Sequence, residues 1–437
     1  MKYYLVGVKG AGVSALALIL KDLGHEVWGY DDEVKHQFTE DKLIAAGIKI
    51  YNEDNDVLEE NVIVIRSTAI NPEVHPQIVK AQKLGLKIYE YMEFLGELTK
   101  EHFTIAISGT HGKTTTTSML KEVINPILGC NYLVGDGNGY AKKGNKYLLI
   151  EACEFRRNFL HYLPKISIIT NVDLDHVNYY KDIDDVKSAF TDFANKTEEL
   201  VIIYGDDENA RSLDFGTPRI NYGLKADNDV CAKNIIYGED GINFDVYLNQ
   251  EFYHHFVLPF YGEHLLLNSL AVITLCNYLK LDVIDIQNYL AEFKGADRRF
   301  SETIIGNAIV IDDYAHHPNE IAMTIKAAKQ KYPHQRVIAV FEPHTFSRTK
   351  MFYGEMAEAL NLADEAYVLD IYNPRDNPAD FIGITSALIV DKLNNGHHLA
   401  RSSEDLFKHK EDVILFMSPK EIADVKANLI NYLKTGV

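Results

Sequence analysis

The chain has 437 residues, which at roughly 100–200 residues per domain implies several domains, each with its own core. Apolar residues make up 46% and charged residues 24%, the balance of a folded globular protein and not of a disordered or membrane-spanning one. Lys and Arg total 44 against 63 Asp and Glu, a net charge of −19, and no basic stretch could track a nucleic-acid backbone, so no nucleic-acid partner is expected.

Apolar β-branched runs alternate with amphipathic stretches along most of the chain, the pattern of βα units around parallel sheets. The first block predicts strands at Tyr3–Val8, Glu26–Tyr30 and Val62–Arg66 and helices at Val13–Leu23 and Glu73–Leu84. Lys9 cuts the opening apolar run too early for a secretory signal, and no run approaches a membrane span. A cytoplasmic location without membrane insertion is expected. A second block opens with a strand at Phe103–Ser108, followed by strands at Tyr147–Ile150, Ile166–Thr170 and Val201–Tyr204. Alternation from Val230 to Leu258, with Gly241-Ile242 as a turn, predicts added antiparallel strands. Lys294 to Arg299 reads as a hinge into a third block with strands at Ala308–Ile311, Arg336–Phe341, Ala366–Ile371 and Val413–Met417. The expected domains are residues 1–99, 100–296 and 297–437. Cys130, Cys153, Cys231 and Cys276 are scattered without CxxC spacing, which fits buried free thiols in a reducing compartment.

The sharpest local signal is Ser108-Gly109-Thr110-His111-Gly112-Lys113-Thr114-Thr115, between the strand Phe103–Ser108 and a helix predicted over Thr114–Val123. Glycines let backbone N–H groups converge on phosphate oxygens, the helix N-terminus adds positive potential, and lysine supplies a point charge. A threonine after the lysine can place a hydroxyl on Mg²⁺. ATP or GTP binding follows. A second glycine loop, Gly7-Val8-Lys9-Gly10-Ala11-Gly12, lies between the first strand and helix; read alone it is either a nucleotide loop or a plain tight turn.

The segment Gly109–Thr115 resembles the nucleotide loop of the Mur ligase family, ATP-dependent amide-forming enzymes of cell-wall precursor assembly. Further motifs match in order: Gly7–Gly12, Glu151-Ala152-Cys153-Glu154, Thr170–His176, Gly262–Asn268, Arg298-Arg299-Phe300, Asp312–Pro318 and Pro343–Thr349. Tyr314 and the paired His316 and His317 before Pro318 look most like the alanine-adding branch. The resemblance implies an α/β fold of three domains: a Rossmann-like UDP-binding domain, a P-loop ATPase-type central domain with a mainly parallel sheet, and a Rossmann-like C-terminal domain. It implies ATP and Mg²⁺ as cofactors, UDP-N-acetylmuramate and L-alanine as substrates, and a monomer or weak homodimer.

The resemblance assigns Gly109, Thr110, His111, Gly112, Lys113, Thr114 and Thr115 to the ATP phosphates, Asn268 to the adenine, and Arg299 and Asp313 to the phosphates and ribose. It places Gly10, Ala11, Gly12, Asp31, Ser67 and Thr68, with Ala69 beside them, along the UDP-sugar crevice, and His344 and Arg348 at the amino-acid carboxylate. Lys113, Glu151 and His176 become the catalytic group, and Thr114, Glu151 and His176 the metal ligands, with Glu154 nearby. Read alone, several of these residues admit plainer roles: His176 a structural or surface histidine, Arg299 a surface ion pair, His344 a helix cap and Arg348 a solvated cation. Lys196 stands near the position where some members carry a carbamylated lysine, although a solvated helix lysine is the better reading.

Three departures from the family pattern stand out. Leu265 replaces an asparagine, Glu342 replaces a glutamine and adds negative charge near the expected carboxylate site, and Ser418-Pro419-Lys420-Glu421 replaces a glycine-rich turn. They leave alternatives open: a ligase that adds a whole peptide, a paralogue using another amino acid, or a nucleotide-binding regulator that does not ligate.

Overall fold

The computed structural model describes residues 1–295, 299–373, 376–419 and 422–436. The expected boundary at 296/297, Arg298 of the hinge motif, and Lys420 and Glu421 lie outside the described residues. Two compact units form. One comprises Met1–Cys231, Leu248–Glu251 and Asn268–Phe293, the other Ala232–Tyr247, Phe252–Leu267 and Lys294–Val437.

In the first unit, an all-parallel sheet runs in the order Lys49–Tyr51, Glu26–Tyr30, Lys2–Val6, Val62–Arg66, Lys87–Glu90. Val6 pairs with both Tyr30 and Arg66, so Gly7, Asp31 and Ser67 leave three neighbouring strands at one edge. The chain winds outward in both directions from the first strand, and this reversal opens a crevice at the carboxyl ends. The helix Ala11–Asp22 buries Val13, Ala15, Leu16, Ile19 and Leu20. A helix over Tyr91–Lys100, outside the predicted elements, follows the last strand and opens with a capping box between Glu90 and Glu93.

A second sheet in the same unit runs Arg219–Gly223, Leu200–Tyr204, Ile166–Ile169, Phe103–Ser108, Tyr147–Glu151, Cys130–Leu133, all parallel, with Gly139–Tyr140 antiparallel at the end. Ile107 pairs with Glu151 and Ser108 with Ile169. The carboxyl ends of the three central strands therefore converge. The helix after the glycine loop extends to Leu128, past the predicted end, with Pro126 in its last turn. Helix Ala11–Asp22 also packs against this sheet: a Cβ on Gly139 would stand 2.0 Å from the Ala15 carbonyl oxygen, and Ala141 N donates to Asp22 Oδ2 at 3.0 Å. One apolar core, running from Leu16 and Leu20 through Leu133 and Leu148 to Phe159, serves both sheets.

The strands Val230–Gly238, Gly241–Leu248 and Glu251–Leu258 are neighbours in sheet order. Two-residue connections join them, too short for a parallel crossover, so the neighbours run antiparallel. The first turn is Glu239-Asp240, and Gly241-Ile242, predicted as the turn, instead starts the next strand.

In the second unit a six-stranded sheet runs Ser301–Ile305, Ala308–Asp313, Val413–Met417, Val337–Phe341, Glu365–Val368, Gly396–His398; only the first is antiparallel. That edge strand is mostly exposed and has no apolar alternation, so the sequence places the first strand of the third block at Ala308 instead. Among the described residues no helix is long and apolar enough to cross a membrane.

Candidate active site

The loop Gly109–Gly112 leaves the central strand of the second sheet and enters the helix Lys113–Leu128. Gly109 and Gly112 have φ of 141° and 84°, conformations that exclude most side chains, and a Cβ on Gly109 would stand 2.0 Å from Thr170 Oγ1. The neighbouring strand end clamps the loop. His111 N donates to Asn171 Oδ1 at 2.8 Å, Asn171 Nδ2 returns a bond to the His111 carbonyl at 2.9 Å, and Asp173 N donates to Thr110 Oγ1 at 2.9 Å. Asn268, expected at the adenine, lies against Gly112, where a Cβ would stand 2.9 Å from its Oδ1. Leu265 is half-buried and its N–H donates to the Gly262 carbonyl at 3.2 Å.

Lys113 Nζ donates to the carbonyls of Gly109 at 2.6 Å and Thr110 at 3.0 Å and pairs with Glu154 Oε2 at 2.9 Å. Burial works against its charge, but Glu154, with Cys153 and Glu151 behind it, prevails and raises the lysine pKa above its usual value. Burial opposes ionisation of Glu154 as well; there Lys113 and His176 prevail and hold the carboxyl below the usual range. His176 Nε2 lies 3.4 Å from Glu154 Oε1, with the ring tilted over Phe155 at 4.6 Å between centroids. Glu151 Oε2 accepts from Thr114 Oγ1 at 3.0 Å and from Gly135 N at 2.9 Å. Burial pushes its carboxyl pKa up, against the pull of Lys113. Cys153, predicted as a buried thiol, is half-buried beside this pair and burial pushes its thiol up to about 12; Cys130, Cys231 and Cys276 are buried.

Two of the three expected metal ligands, Thr114 and Glu151, are thus in direct contact, and the third, His176, is joined to Lys113 through Glu154. Glu154 had only a secondary place in the sequence reading, and Gly135 and Asn171 had none as site residues. Lys196 is exposed at the end of the helix Ile183–Lys196, as a solvated lysine should be.

At the crevice of the first sheet, Gly7 N and Val8 N donate to the Tyr30 carbonyl, and Gly10 caps the helix that begins at Ala11 and Gly12. Asp31 accepts from Lys9 N at 2.8 Å and Glu33 N at 3.0 Å, so it shapes the loop through both oxygens. A Cβ on Gly7 would lie 2.7 Å from that of Ser67; Thr68 and Ala69 are exposed in the turn beyond. A Cβ on Gly12 would stand 2.5 Å from the buried Tyr91 hydroxyl. Burial raises the Tyr91 pKa, and the Glu151 charge adds to that effect.

In the second unit, Arg299 Nη1 lies 3.7 Å from Glu320 Oε1, with its guanidinium over the Tyr314 ring. Glu320 Oε2 meets His316 Nδ1 at 3.2 Å, the His316 ring lies 6.0 Å from that of His344, and His344 Nδ1 meets Arg348 Nη1 at 3.1 Å. Arg299, His344 and Arg348 therefore belong to one connected cluster. The plainer readings of His344 and Arg348 do not hold, because Thr345 caps the helix Phe346–Leu360 and Arg348 is buried. Asp313 accepts from Phe300 N and Ala315 N, both at 2.8 Å, and burial raises its pKa against the opposing Arg299 charge.

Glu342 is 1% exposed, its Oε1 pairs with Arg401, and its Oε2 accepts from Ser418 Oγ at 3.1 Å. The expected excess negative charge is thus neutralised from within the domain. Ser418, one of the residues replacing the glycine-rich turn, takes part.

The chain matches the Mur ligase family catalytic domain over residues 2–103, the Mur ligase middle domain over 107–276, and the Mur ligase glutamate ligase domain over 298–423. It is similar to the crystal structure of UDP-N-acetylmuramate-alanine ligase MurC from Thermotoga maritima, at 27% identity and a TM-score of 0.81, with 99% of each chain covered. It shares its fold with a murein peptide ligase Mpl from Psychrobacter arcticus 273-4, at 22% identity and TM-score 0.71, covering 100% of this chain and 99% of that one. It also shares it with the MurF ligase from Thermotoga maritima in complex with ADP, at 17% identity and TM-score 0.65, covering 94% and 96%. With all three domains present in order along one chain, the protein belongs to the Mur ligase family, the ATP-dependent amide-bond ligases of peptidoglycan precursor synthesis.

Proposed function

We propose that the chain joins L-alanine to the lactyl carboxylate of UDP-N-acetylmuramate, with ATP converted to ADP and phosphate. The observation that carries this reading is the connected group Lys113, Glu154, His176, Glu151 and Thr114, Glu154 buried and the others half-buried, at three adjacent strand ends behind the glycine loop. The full-length likeness to MurC supports the choice of substrates. The reaction draws on ATP and a nucleotide sugar, which favours a cytoplasmic setting.

In the proposed reaction, the lactyl carboxylate attacks the γ-phosphoryl group in line, and the Lys113 ammonium and loop N–H groups stabilise charge on the transferring oxygens. The acyl phosphate that forms is then attacked at its carbonyl carbon by the neutral alanine amine, and the tetrahedral intermediate expels phosphate. Exclusion of water during the acyl phosphate's lifetime protects it from hydrolysis.

The donor set suits Mg²⁺. Glu154 is buried and already paired with Lys113 and His176, whereas the half-buried Glu151 carboxylate is held by neutral donors, its Oε2 sharing a hydrogen bond with the Thr114 hydroxyl. A hard cation prefers such oxygen donors and would offset the remaining negative charge. Thr114, Glu151 and His176 would hold it, and it would neutralise phosphate charge when bound. In the second unit, Arg299 and Arg348 offer cations suited to phosphate and to the amino-acid carboxylate, with His344 Nδ1 accepting from Arg348 Nη1.

The test is phosphate release with ATP, Mg²⁺ and UDP-N-acetylmuramate, with each amino acid supplied in turn. L-alanine should give the highest rate. Serine, glycine or a preassembled peptide clearly outperforming it would overturn the substrate assignment, and binding of ATP without turnover for any acceptor would overturn the ligase reading.

A further inference from the structure

Two successive non-glycine residues, Arg156 and Arg157, take left-handed backbone conformations with φ of 53° and 57°, directly after the Glu151–Glu154 motif. Such conformations are unfavourable by about 1–3 kcal/mol each and persist where surrounding contacts hold them. For Arg157 those contacts are visible: Nη2 pairs with Asp185 at 2.8 Å and Nη1 with Asp192 at 3.0 Å. Arg156 has no such compensation. It is exposed, and among the described residues no carboxylate or carbonyl oxygen pairs with it. Its guanidinium lies 5.3 Å over the Phe155 ring, which also meets His176 at 4.6 Å and Tyr179 at 6.2 Å between centroids.

The turn therefore sets an exposed cation on the ring that packs against His176. Arg156 rests on Phe155, Phe155 on His176, and His176 reaches Glu154 and thereby Lys113. Lys113 is already engaged by Glu154 and two carbonyls, whereas Arg156 presents its planar donor fork towards solvent. Stacking on an aromatic face reduces the rotamer freedom of the guanidinium without occupying its N–H groups.

We infer that Arg156 is a substrate-binding residue that receives an oxyanion of the reacting pair, the acceptor carboxylate or the phosphoryl group transferred to it. This inference rests on the ligase reading above. Its test compares wild type, Arg156→Gln and Arg156→Lys by phosphate release, with UDP-N-acetylmuramate and ATP varied separately. Arg156→Gln should raise one KM about tenfold or more while leaving the thermal midpoint unchanged, and Arg156→Lys should recover part of the loss. A rise confined to the nucleotide sugar identifies the acceptor carboxylate, and one confined to ATP identifies the phosphoryl oxygens. Both KM values within twofold of wild type would overturn the role of Arg156 and leave the ligase reading intact. Absence of release by the wild-type protein would instead remove the ligase reading and this inference with it.

Discussion

Lys113 and Glu154 form a buried ion pair, Nζ to Oε2 at 2.9 Å, at the base of the glycine loop. The lysine is held by the same network that phosphate oxygens must enter, so its position is set before nucleotide arrives. Lys113→Ala should lower phosphate release by about 10²–10³-fold, the loss seen when a preorganised charge-stabilising donor is removed. The variant also strands a buried carboxylate, which destabilises a fold by about 3–5 kcal/mol. Lys113→Ala combined with Glu154→Gln should recover much of the thermal midpoint but none of the rate. Near-normal turnover in Lys113→Ala would overturn the assignment of the loop.

Thr114 and Glu151 should act together on the metal. The hydroxyl donates to Glu151 Oε2, and Gly135 N donates to the same oxygen. Loss of a partner that orients a ligand typically lowers metal affinity about 10–100-fold. Thr114→Val should therefore raise the Mg²⁺ concentration for half-maximal phosphate release by about tenfold, whereas Thr114→Ser should stay near wild type. Equal Mg²⁺ dependence in wild type and Thr114→Val would contradict this coupling.

The glycine loop was legible because its chemistry is local: glycine, lysine and threonine at fixed spacing between a strand and a helix. Glu151 and His176 were legible as residues just beyond buried strands. The Glu154 pair was not, because it depends on the pairing of Ile107 with Glu151 and on the left-handed backbone at His176 (φ 52°), neither of which leaves a periodic trace. The Asn171 clamp and the Arg156 turn are likewise matters of backbone geometry. By contrast, the helix Tyr91–Lys100 carried a readable signal in Glu90 and Glu93.

The departures at Glu342 and Ser418 turn out to be one arrangement. Phe341 pairs with Met417, so Glu342 and Ser418 leave adjacent strands side by side. The serine donates to the glutamate, and Arg401 neutralises it while also pairing with Asp424 at 2.9 Å. Arg401→Ala should destabilise the protein by about 2 kcal/mol, below the usual loss for a broken buried pair because Arg401 is half exposed. Adding Glu342→Gln should then restore stability, since the variant removes the stranded charge. Additive losses in this pair, measured by chemical denaturation, would show that the two side chains are not coupled.

Glu365 gives the fold a defined acid limit. It is 6% exposed, pairs with Arg336 at 2.9 Å and Lys408 at 2.8 Å, and accepts from the Tyr367 hydroxyl at 2.6 Å. Burial works to raise its pKa, but Lys408, Tyr367 and Arg336 prevail and lower it from 4.5 to about 2. A carboxylate depressed in the folded state binds protons more tightly when unfolded, so its contribution is complete above pH 4.5 and fades as pH falls towards 2. At 1.36 kcal/mol per pKa unit, the contribution at neutral pH is on the order of 3 kcal/mol. Glu365→Gln should therefore lower unfolding free energy at pH 7 and flatten its decline between about pH 4.5 and 2. Urea titrations across that range provide the measurement. Parallel curves for wild type and variant would show that other carboxylates set the acid limit.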